Sequence, residues 1–316
     1  MNLKTGSSPH FSLSTIRPYG HNHRYEPIGR IAVGAVGGAL LTWCVFVLAL
    51  ALATIGSTIA DAVVELPSAF RRAVPAIITL VLTVPLVLRI HRRRRQLLGL
   101  RRPGRVLVGI IVTVCCAAVA FTPAVLAGWI SITEFDPPVL LSFLATNTAL
   151  ALALEAVPEE LVFRGSAYGS IRTVGPSWIA AITATAAFVV APAASIAVAA
   201  ALGHALGLPT PPATFAPGGQ NPVDYAVLLT VFSLCLILAR EAAASVWASV
   251  GVHLSFLTIN RLTFPGHFTT GVTTTVEPGT ELLVLGYLVA ASVVFAVIRY
   301  RRLRGRRIRQ HASAVL

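Results

Sequence analysis

Three of the twelve acidic residues in this chain fall within six positions, in the string Glu155-Ala-Val-Pro158-Glu159-Glu160-Leu-Val-Phe163-Arg164-Gly165. A carboxylate at a low-dielectric site is a candidate general base toward water. Pro158 is expected to open a helix, because its fixed φ suits a first turn and leaves both glutamates near the positive helix end. Glu160 and Arg164 are then i,i+4 partners on one face. Glu159 is turned from that face by about 100° and is free to face a cavity. The spacing alone fits a membrane-edge salt bridge as well as it fits a hydrolytic site. His253, in Gly251-Val-His-Leu-Ser255-Phe-Leu257, reads by residue type alone as a buried helix histidine bonded to a neighbouring span.

The elements that position these residues follow from composition. Of 316 residues, 55% are apolar and 12% charged, with a mean hydropathy of +0.78. Soluble domains run nearer 45–50% apolar and about 25% charged, and disorder needs the opposite balance. Both classes are excluded, and the chain reads as an integral membrane protein. A span needs about 20 mostly apolar residues. Such runs occur at 31–58, 73–90, 106–130, 139–157, 176–207, 223–240, 243–263 and 281–299, each helical because lipid offers backbone groups no water. Gly34 and Gly38 stand at GxxxG spacing in the first. The expected fold is all-α, a polytopic membrane helix bundle of about eight transmembrane helices.

The net charge of +13 is carried almost wholly by arginine, in blocks at 89–105 and 299–309. Basic blocks flanking apolar runs mark cytoplasmic loops and contact anionic lipid headgroups, and no nucleic-acid partner is expected. With Arg24 and Arg30 before the first run, an even number of spans puts both termini in the cytoplasm, with a cell-membrane location. The carboxylate cluster then lies at the cytoplasmic end of span four. The chain divides into a tail (1–30), three N-terminal helices (31–138), a core with the carboxylate and histidine motifs (139–264), and a last span with a basic tail (265–316). Cys44, Cys115, Cys116 and Cys235 lack CxxC spacing and read as apolar fillers. His10, His21 and His23 lie in the N-terminal tail. The stretches 208–222 and 269–275 read as irregular loops without a ligand set.

The string Glu159-Glu160-Leu-Val-Phe163-Arg164-Gly165 resembles the EExxxR motif of the CPBP family of CAAX prenyl proteases and bacteriocin-processing intramembrane proteases, which includes the Ras-converting enzyme type. The resemblance covers roughly residues 140–262. It implies that Glu159 activates the attacking water and that Arg164 holds Glu160 and the local helix. It also implies that His253, matching the histidine of a later motif, stabilises an oxyanion or binds a metal. A divalent metal such as zinc, held by Glu159 and His253, and no metal at all are both open under this resemblance. The implied substrate is a membrane-associated peptide or protein.

Two positions depart from the family pattern. Its FxxxH motif is matched by Phe188-Val-Val-Ala-Pro192, with proline in the histidine position, where it can neither ligate nor move a proton. His204 lies 12 residues further on, about 18 Å along a regular helix, and substitutes only if the segment after Pro192 folds back. The asparagine expected four residues after His253 is Leu257. Asn260, at i+7, is the candidate displaced oxyanion donor. Three functions are therefore weighed: an intramembrane endopeptidase, a catalytically degenerate member acting as a scaffold or immunity-type protein, and a transporter using Glu155 and Glu159.

Overall fold

The computed structural model describes residues 28–63, 68–208, 214–216, 220–264, 266 and 268–315. The tail histidines His10, His21 and His23, and part of the 208–222 stretch, lie outside the described residues. Among the described residues eight long helices form a bundle: α1 (Ile28–Val63), α2 (Ser68–Ile90), α3 (Val106–Leu126), α4 (Pro137–Ile171), α5 (Ser177–Ala205), α6 (Pro222–Ala243), α7 (Val246–Thr263) and α8 (Leu282–Val315). Seven of them are long and apolar enough to cross a membrane, α7 being the exception. The protein is a multi-pass integral membrane helix bundle, with seven qualifying spans where the sequence suggests about eight. The predicted span 243–263 exists as α7, but His253, Asn260 and Arg261 lower its hydropathy. It tolerates them because its faces are enclosed by protein, with Val246, Ala248–His253 and Ser255 all buried.

Local chemistry sets the helix boundaries. Asp136 accepts from the Val139 amide, 3.1 Å away, and Pro137 supplies the preset φ of a first turn. Asn221 and Pro222 repeat the device at α6. Ala244 adopts a left-handed conformation after α6, and Ser245 then caps α7 by accepting from the Trp247 amide. The Ser245 hydroxyl also donates to the Arg101 carbonyl at 2.7 Å, fixing this corner to the basic 91–105 segment.

Pro158 does not open a helix. It lies inside α4, which is continuous over 35 residues, between wide π-helical turns at Leu152–Ala156 and Glu160–Ala167. Proline removes one amide donor and crowds the preceding turn, and a widened turn accommodates both effects. Span four therefore extends well past 157, and the carboxylates sit 12 and 11 residues before its last residue rather than at its end. The π segment is at the centre of the bundle, with every residue from Glu160 to Ala167 buried. It contributes Leu161, Val162 and Phe163 to a core shared with Phe46 of α1, Phe188 of α5, Phe232 of α6, Val252 of α7 and Leu288 of α8.

The Thr-rich stretch is not wholly irregular. Val272–Val276 forms β2, antiparallel to β1 (Ile130–Phe135), giving a two-stranded cap over one end of the bundle. At the other end the basic segments converge. Arg240 donates to the Leu97 carbonyl, Val246 N–H donates to the Gly99 carbonyl, and Arg302 donates to the Glu241 carbonyl. Here His91 Nε2 lies 2.7 Å from Ser166 Oγ, which is itself 2.7 Å from Thr42 Oγ1, a buried network joining α1, α4 and the turn after α2.

Candidate active site

The site is where α7 crosses the π segment of α4. Glycines permit the approach from the other side. A Cβ on Gly251 would collide with the Val106 carbonyl of α3, and one on Gly109 would collide with the Ala248 carbonyl of α7. The α3 and α7 backbones therefore touch, the arrangement small residues allow between membrane helices, and this sets the height of His253 two residues on.

His253 Nδ1 is 3.0 Å from Glu160 Oε1, and Arg164 Nη1 is 3.2 Å from the same oxygen. Glu160 and Arg164 are fully buried. The Arg164 guanidinium lies 4.3 Å from the centre of the Phe188 ring, so its charge meets a carboxylate on one side and a π face on another. His253 Nε2 points toward Glu159, whose Oε2 is 4.0 Å away, beyond direct hydrogen bonding. The imidazole is held edge-on to Phe232, with ring centres 5.0 Å apart.

Glu159 and His253 open onto a cavity of about 210 Å³, with Glu155 and Tyr225 as further polar lining and Phe188, Phe232 and Phe256 as apolar walls. Glu159 remains 19% exposed, which marks it, and not Glu160, as the carboxylate facing the chamber. Glu155 is held by Arg261 Nη2 at 2.6 Å, and Arg261 Nη1 reaches Asn147 Oδ1 at 2.8 Å.

Both departures face this chamber: Pro192 and Leu257 line it directly. α5 runs unbroken through Pro192 to Ala205 and does not fold back, so His204 stays exposed near the helix end and takes no part in the lining. Asn260 also turns away and donates to Tyr287 Oη at 3.3 Å. Of the residues expected from sequence, Glu159, Glu160, Arg164 and His253 come together, whereas His204 and Asn260 do not.

Residues 138–259 match the family model described as Type II CAAX prenyl endopeptidase Rce1-like. The segment is similar to that family over 122 of the chain's 316 residues. The Rce1-like segment runs from the start of α4 into α7 and so contains Glu159, Glu160, Arg164, Pro192, His253 and Leu257. It ends one residue before Asn260. It has the fold of a CAAX-type intramembrane endopeptidase, a protease class acting on protein or peptide substrates. No curated protein and no solved structure matches the chain.

The donor set does not fit a catalytic zinc site. Such a site takes three protein ligands plus water. Among the described residues no group of three His, Cys, Asp or Glu side chains is arranged to hold a metal ion. Glu159 and His253 offer two donors, Glu160 Oε1 is engaged by His253 and Arg164, and Pro192 offers none.

Sequence reasoning missed Arg261, Asn147 and Tyr225. Arg261 carried a signal, as a guanidinium in a mostly apolar run two residues from the end of its helix. Tyr225 carried none.

Proposed function

We propose that this protein is an intramembrane endopeptidase that cuts a membrane-associated peptide or protein tail with a water activated by Glu159. One observation carries the reading: His253 stands between Glu160 and Glu159 at the wall of the chamber. Glu159 takes a proton from water, and the resulting hydroxide adds to the scissile carbonyl carbon. His253 acts as the imidazolium, donating to Glu160 through Nδ1–H and presenting Nε2–H to the developing oxyanion. The proton on Glu159 then passes to the departing amine nitrogen as the C–N bond breaks, giving an acid and an amine. Glu160 and Arg164 are positioning residues. Both termini lie in the cytoplasm, the membrane is the cell membrane, and the basic blocks rest on anionic headgroups.

The test is hydrolysis of a membrane-anchored peptide library by the full chain in proteoliposomes. Glu159→Gln preserves shape and is expected to reduce turnover about 10²–10⁴-fold. Equal cleavage by wild type and Glu159→Gln would sink the proposal.

The apolar lining at Pro192 and Leu257 favours a second reading: a chamber that binds a peptide or lipid-like segment without cutting it, as a scaffold or immunity-type protein would. Under that reading Glu159→Gln leaves the cellular phenotype intact.

A further inference from the structure

We propose that a second pocket, at the basic end of the bundle, binds a phosphate group. This pocket, about 450 Å³, shares no lining residue with the chamber around Glu159. It lies between the 96–99 segment, the end of α4, the α6–α7 corner and α8. Its charged lining is four guanidinium groups, from Arg172, Arg240, Arg299 and Arg302, against a single carboxylate, Glu241.

That carboxylate is already shared. Arg299 Nε approaches Glu241 Oε2 at 2.6 Å, and the Tyr168 hydroxyl donates to Glu241 Oε1. Arg302 Nη1 donates to the carbonyls of Glu241 and Ala242. Arg172 donates to the Gly175 carbonyl at 3.3 Å, a neutral acceptor.

Arg240 is the decisive residue. One amino group donates to the Leu97 carbonyl at 2.7 Å, and the guanidinium rests 4.9 Å from the centre of the Tyr168 ring. Its Nε is buried without a hydrogen-bond partner, and among the described residues no carboxylate is in ion-pair contact with it. A covered cation with an unmet donor is costly unless an anion completes it. Planar, multi-donor guanidinium groups around an open pocket match a tetrahedral phosphate oxyanion.

The pocket also has the right level. Tyr168 and Arg240 lie within three residues of the ends of the membrane-length helices Pro137–Ile171 and Pro222–Ala243, and Arg302 lies at a like distance from the end of Leu282–Gly305. The phosphate can come from a phospholipid headgroup or from a soluble ion.

The experiment follows the thermal unfolding midpoint of the full chain in neutral detergent. It is titrated separately with phosphatidylglycerol dispersed in the same detergent and with inorganic phosphate at matched ionic strength. A saturable upward shift is expected. Arg172→Gln at the exposed mouth and Arg240→Gln inside each raise the half-saturating concentration about tenfold, while Arg105→Gln, outside the pocket, leaves it unchanged. A response confined to phosphatidylglycerol assigns the lipid headgroup, and a response to inorganic phosphate assigns the soluble ion. No saturable shift with either, or an equal loss in Arg105→Gln, overturns the proposal. Arg172→Gln keeps the test decisive should Arg240→Gln fail to fold.

Discussion

His253 and Glu160, 93 positions apart in sequence, meet at 3.0 Å. The oxygen that makes this contact also holds Arg164, so one carboxylate atom ties α7 to α4 and braces the π segment at once. Substitutions at the three residues are therefore expected to be non-additive.

Removing the shared carboxylate strands a fully buried guanidinium. Glu160→Ala is expected to cost about 3–5 kcal/mol, read as a lowered unfolding midpoint in detergent micelles. Glu160→Gln keeps a hydrogen-bond acceptor and is expected to cost less. Equal stability of wild type and Glu160→Ala would show that the three-way contact does not hold the fold together.

Gly251 permits the backbone contact that sets the height of His253. Gly251→Ala forces α7 away from the Val106 carbonyl, at a cost of about 1–3 kcal/mol. A cysteine crosslink scan between α7 and α4 should report the displacement, and an unchanged crosslinking pattern would count against this account.

Pro192 and Leu257 occupy chamber positions where the family pattern places a histidine and an asparagine. In the double variant Pro192→His/Leu257→Asn, added donors face the developing oxyanion, and peptide hydrolysis should rise at least about tenfold over wild type. A fall would mean that the apolar lining serves the native substrate better than added donors do.

His91 lies in the turn after α2, outside the membrane-spanning segments. Burial first, and the nearby Arg94 charge second, hold its pKa below the ordinary value of 6.5. The unfolded chain thus takes up this proton at a higher pH than the folded one. The stabilisation is complete above pH 6.5 and is lost as pH falls below it. Unfolding midpoints measured between pH 8 and 5 should decline less for His91→Gln, which can still hydrogen-bond Ser166, than for wild type. Identical slopes would rule out this residue as the source.

The sequence made the membrane class and the EExxxR-bearing helix legible because composition and i,i+4 spacing are local properties. It also placed Glu159 and Glu160 on different faces, as found. It could not reveal where α4 ends. A proline normally signals a boundary, yet the π turns around Pro158 absorb it. Hydropathy found α7 only by treating its polar residues as tolerable, and what makes them so is enclosure by neighbours far away in sequence. Asn260 shares a helix face with His253 by periodicity, but the hydroxyl of Tyr287 claims its side chain. β1 and β2 were illegible because each is short and pairs with a segment some 140 residues distant.

The seating of α3 on α7, main chain against main chain at Gly109 and Gly251, makes the imidazole side of the chamber its stiff side. The α5 and α6 side meets the interior through aromatic side chains, which can rotate. A guest too bulky for the resting volume must be admitted by yielding of Phe188 and Phe232. Because Phe188 lies against Arg164 and Phe232 against His253, such yielding reaches the atoms that would do the chemistry, and the size of a guest is coupled to the alignment of the site.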